Sequence, residues 1–245
     1  MSPARSSIAA IVLSASALLL VAGLHLAASG QPAPGKPTDM QEHFTRIITV
    51  QQAVIRGDLE DVREPARWLA EHQTSGDFAS PSAALLANMR EVAKRTADAK
   101  TLPAAASEAA ALVATCGNCH AALSVRPKLP PVPEVKPAGG TVGHMREHER
   151  AVDLMYQGLI GPSDELWVKG AQELKGSPLA RNDLPRDPAL TNDVAAAEAK
   201  THQLAEKAVQ TKDMNSRAAI YGEVISGCGT CHGLHGRVWG PGVPK

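Results

Sequence analysis

Two five-residue runs carry most of the chemistry available to this 245-residue chain: Cys116-Gly117-Asn118-Cys119-His120 and Cys228-Gly229-Thr230-Cys231-His232. Two thiols three positions apart, followed at once by an imidazole, suit covalent haem attachment. The thiols add to the two vinyl groups, and the adjacent histidine reaches the iron from the proximal side. Zinc half-sites, redox dithiols and disulfides also use Cys-x-x-Cys. None of them accounts for the histidine after each pair. One four-thiolate zinc site would require the two pairs to meet, and a thioredoxin-like dithiol belongs beside a βαβ pattern that is missing here. The expected cofactors are therefore two covalently bound haem c groups. Cys116, Cys119, Cys228 and Cys231 anchor them, and His120 and His232 bind iron.

A sixth ligand must come from elsewhere in the chain. Met40-Gln41-Glu42-His43 recurs as Met145-Arg146-Glu147-His148. Positions 40, 43, 47, 50 and 54, and their counterparts 145, 148, 152, 155 and 159, form the apolar stripe of a core-facing helix. A histidine on such a stripe is unfavourable without a partner, which favours His43 and His148 as distal ligands. Met40 and Met145 share the face and are the alternatives; their ordinary fate there is core filling. An open or otherwise ligated iron is the remaining possibility. His144 is matched by Asp39, so repetition does not support it as a ligand; His72 and His202 have no matching partners and read as surface or packing residues.

The elements that position these groups come in two copies. Each copy opens on the Met-x-x-His run and closes on its signature. The first domain is expected over 31–125 and the second over 144–245. Between them, 126–143 contains five prolines and then glycines, which suits a semi-rigid extended spacer. Within the first copy, Thr38 with Gln41 makes a capping box and Gly57 a stop. A second helix follows from Asp58 to about Gln73. Ser80-Pro81 opens a third to about Lys100, and a fourth starts near Pro103. The second copy repeats the order, with helices from about 142, Ser163, Thr191 or Asn192, and Asp213. Four helices with short connections form an antiparallel bundle, in which the start of the first lies at the end of the fourth. The expected fold is all-α: two tandem four-helix bundles, each folding alone, each with a haem at the C-terminal end of its last helix.

Composition agrees with helices and limits the partners. Aromatics make up 3% of the chain and alanine is abundant. Charges balance at zero, without the basic excess that a nucleic-acid binder needs. Arg5, the apolar run Ile8 to Leu26 and the small residues Ala27 to Gly30 read as a signal peptide over 1–30. The chain is then exported and periplasmic, and touches the membrane only if that segment stays uncleaved as an anchor.

With its signatures at the ends of last helices and a first-helix residue facing the iron, the chain resembles the class II c-type cytochromes, the cytochrome c-prime group. The resemblance covers roughly 38–122 and 142–236. It implies thioether bonds at the four cysteines, His120 and His232 as proximal ligands, and a periplasmic location. The chain departs from the group in carrying two signatures, in its shorter units, and in pairing Met with His on the first helix. Electron transfer between redox partner proteins is the leading expectation, and binding or sensing of small gases such as NO or CO the second. A peroxidase, which needs an open iron and polar distal catalysts, is a third. No nucleophile or acid–base cluster stands beside the signatures to argue for catalysis.

Overall fold

The computed structural model describes residues 38–73, 82–136, 139–176, 179–183 and 188–239. The expected signal peptide and the Ser80-Pro81 helix start lie outside them. The described residues are helical, without strands. Helix α1 (Asp39–Arg56) begins with the expected capping box: Thr38 N–H donates to Gln41 Oε1 at 2.8 Å, and Gln41 N–H donates to Thr38 Oγ1. It ends at Gly57, whose φ of 78° is left-handed. Asp58 caps α2 (Leu59–Glu71), which contains Pro65. After α3 (Ala83–Asp98), Thr101 caps α4 (Leu102–Ala122). The second copy supplies α5 (Gly140–Ile160), α6 (Asp164–Leu174, capped by Ser163), α7 (Pro188–Gln210) and α8 (Met214–Trp239, capped by Asp213). Helix α7 starts earlier than expected, because a proline at the first helical position needs no hydrogen-bond partner for its nitrogen.

Helices α1 to α4 pack in sequence and α4 returns to α1; α5 to α8 do the same. The two sets are not separate bodies, as the sequence suggested. The described residues form one compact unit. Its core is a single apolar cluster drawn from both copies, including Val50 and Val54 of α1, Leu112 of α4, Met155 and Leu159 of α5, and Tyr221 and Val224 of α8. Alanine and glycine make this possible. Gly222 of α8 lies against Ala106, Ser107 and Ala110 of α4, so the two last helices pack at close range.

The proline-rich segment is not a free spacer either. It runs back along α5 and is tied to it. The buried Arg150 guanidinium donates to Pro133 O at 2.7 Å and Val132 O at 3.3 Å. It also binds the carboxylates of Glu134 and Glu173. Gln157 donates to Pro130 O at 2.6 Å. Proline-rich backbone lacks donors but keeps its carbonyls, and these side chains use them.

Two copies sharing one core should not survive separation. Residues 31–125 and 141–245, expressed alone, each expose the α4 or α8 face and should be unfolded or aggregated and bind hydrophobic dyes. Co-expressed, they should co-purify as a complex. Either half behaving alone as a cooperatively unfolding monomer would refute the shared core.

Candidate functional site

The signature histidines are held in the same way in both copies, and each is held by the other copy. His120, in the last turn of α4, has Nδ1 2.6 Å from the carbonyl oxygen of Ile160 at the end of α5. His232, on α8, has Nδ1 2.6 Å from the carbonyl oxygen of Ile55 at the end of α1. A carbonyl only accepts, so each Nδ1 carries the proton and each Nε2 keeps its lone pair. The two carbonyls belong to last helical turns, whose acceptors have no partner within their own helix.

This reciprocal contact depends on the glycines inside the signatures. A Cβ on Gly117 would strike the carbonyl oxygen of Leu159, and one on Gly229 the carbonyl oxygen of Val54. Gly229 O also stands 2.8 Å from where a Cβ on Gly57 would be. Each signature helix therefore crosses the end of the other copy's first helix at backbone distance.

The four cysteines are unpaired and half-buried. Burial pushes the Cys116 and Cys228 thiols up to about 12, the opposite of the lowered value that a redox dithiol needs. Nor do the four thiols gather: among the described residues, the grouping with metal-ligand proximity contains no cysteine. Beside the second signature lies a cavity of about 560 Å³, within the roughly 300–1,000 Å³ typical of cofactor sites. Cys228, Cys231 and His232 form one wall, Met145 and His148 of α5 another, and Ile55 and Arg56 of α1 close it.

The proposed distal residues part company in the first copy. His43 is 8% exposed and its Nε2 is buried without a hydrogen-bond partner. Burial, and then the neighbouring His72, lowers it to about 4, so it is neutral near pH 7. Met40 is 36% exposed: it has left the apolar stripe that the spacing placed it on, because it sits in the first turn, beyond the core. His72, expected to be a surface or packing residue, stacks on Trp68 at 4.1 Å and stands edge-on to His43.

In the second copy His148 also has a buried, unpartnered Nε2 and is lowered to about 4, by burial and then by His144. It belongs to a group that sequence reasoning did not assemble: His144, His148, Glu198 and His202, whose ligand atoms all lie within 4.8 Å of one another. Glu198 Oε1 is 2.6 Å from His144 Nε2, 2.9 Å from His202 Nε2 and 3.9 Å from His148 Nε2. Burial alone would raise Glu198; the His144 and His202 imidazoles set against it outweigh that and hold the carboxyl down at about 2. The signal was present in the sequence as two i, i+4 pairs, His144 with His148 and Glu198 with His202, each on one helix face.

Comparison with family models, curated proteins and solved structures finds no match to the chain. The residues themselves fit a haem. The thiols are spaced for the vinyl groups, the signature histidines keep Nε2 free, and buried histidine nitrogens without partners stand on the first helices. Arg56 and Arg146 line the second cavity and suit propionate carboxylates.

Proposed function

We propose that the chain is an exported dihaem c-type cytochrome, similar to class II, that carries electrons between redox proteins of the periplasm. The observation that carries this reading is the pair of Nδ1 contacts to Ile160 and Ile55. A metal-bound histidine usually donates its other ring N–H to a carbonyl or carboxylate, which fixes its orientation and raises its basicity. Here both signature histidines meet a carbonyl at the same distance. A bound haem supplies a reversible one-electron couple. The chain's own groups do the rest. Cys116 and Cys119, and Cys228 and Cys231, anchor the group covalently. His120 and His232 present Nε2 lone pairs. His43 and His148, neutral and desolvated, present a second nitrogen each, and the surrounding apolar core limits water.

The test is spectroscopic. The full-length protein should carry two covalent haems and be low-spin at both in the ferric state. His43→Ala should turn one haem high-spin and leave the other unchanged, while Met40→Ala changes neither. A haem-free wild type rejects the cytochrome. A wild type high-spin at both irons rejects the histidine ligands and favours gas binding. A near-infrared His/Met band lost in Met145→Ala would assign the second distal position to methionine.

A further inference from the structure

Among the described residues, the His144, Glu198 and His202 arrangement has no counterpart in the first copy. At the positions matching 144 and 148 stand Asp39 and His43. Counting back from the two signatures, Leu86 and Arg90 of α3 match Glu198 and His202 of α7. The Arg90 charge bears on His43, as His202 bears on His148, so the correspondence holds in space. An arginine and a leucine cannot hold a cation, whereas an imidazole and a carboxylate can. The Cys-x-x-Cys-His signature is common to both copies; among the described residues this cluster belongs to the second alone.

We infer that the second copy binds one divalent transition-metal ion through His144, Glu198 and His202, beside the cavity that Glu198 lines. Two imidazoles and a carboxylate are a donor set for zinc, iron or copper rather than for calcium or magnesium. Ligands bound tetrahedrally at about 2.0–2.2 Å stand roughly 3.3–3.6 Å apart, so the present separations of 2.6 and 2.9 Å open by several tenths of an ångström to admit the ion. The His144 side chain is 9% exposed. Its Nε2, though close to Glu198, is not aligned to donate to it and is buried without a hydrogen-bond partner. Such a nitrogen is unfavourable unless something else occupies its lone pair. The ligands come from two facing helices of one set, the usual construction of a metal site inside a bundle. His148 is further from the carboxylate, at 3.9 Å, and lines the cavity. Its exclusion from the ion rests on the proposed haem reading, in which its Nε2 faces iron.

Equilibrium dialysis of the full-length protein against zinc, with elemental analysis, tests this. One zinc per chain is expected. Glu198→Gln, His144→Gln and His202→Gln, checked for native helicity by circular dichroism, should each weaken binding at least tenfold. His148→Gln and the double variant Cys228→Ala with Cys231→Ala should stay within about threefold of wild type. No stoichiometric zinc, or zinc retained by Glu198→Gln, overturns the inference. Loss in the cysteine variant moves the ion to the thiols, and loss in His148→Gln gives that residue to the ion; either overturns the ligand set stated here. Covalent haem, counted by mass spectrometry on the same samples, reads the cytochrome assignment separately.

Discussion

Replacing Cys116 and Cys119 together by alanine should remove one covalent haem and leave the other, and replacing Cys228 and Cys231 should do the reverse. Each double change takes away both thioether positions at one site. It leaves intact the hydrogen bond that holds the other signature histidine, since that bond comes from α1 or α5 and not from a cysteine. Mass spectrometry of the denatured chain should show the loss of one haem mass in each variant and of both in the quadruple variant. An unchanged haem count in either double variant would sink the attachment assignment. Because the copies share a core, each double variant should also unfold at a lower temperature than wild type, even though its remaining haem is covalently intact.

The second large effect should come from glycines. Gly117→Ala and Gly229→Ala each drive a Cβ into a backbone carbonyl, of Leu159 and Val54 respectively. Backbone cannot rotate aside as a side chain can, so the helices must separate. Overpacking commonly costs about 1–3 kcal/mol and occasionally more; these sites should lie at or above about 3 kcal/mol, a fall in Tm of roughly 6–12 °C for a unit of this size. Helix separation also pulls Ile160 from His120, or Ile55 from His232. Gly233→Ala is the internal control. It lies in the same helix with nothing near its Cβ, and should be neutral or stabilising by about 0.5–1 kcal/mol. Equal losses at all three positions would mean that close helix crossing is not what the signature glycines provide.

Much of the local structure was legible. The Thr38–Gln41 box, the Gly57 stop and the Ser163 cap each have a partner within four residues, so a short window contains the physics. The signatures were legible for the same reason. What escaped was anything decided between helices far apart in the chain. Gly117 and Gly229 look like filler inside a motif until another helix's carbonyls arrive against them. His202 reads as a surface or packing residue until α5 brings His144 opposite it and Glu198. Met40 misled in the other direction: the periodicity of α1 is real from His43 to Val54, but the stripe outlasts the core at its first turn. The proline-rich segment carried the composition of a spacer, and Arg150, buried beneath it, and Gln157 fasten it.

The exchanged carbonyls also order the assembly of the two sites in time. His120 and Ile160 are 40 residues apart in the chain, whereas His232 and Ile55 are 177 apart. Closing the longer loop costs about 1.3 kcal/mol more in chain entropy on logarithmic scaling, and contacts of long sequence separation form slowly. A chain emerging from its N-terminus can complete the first histidine's support once α5 has appeared. The second must wait for α8 to return to α1, so the last signature histidine to gain its support is the one that fastens the last described helix to the first.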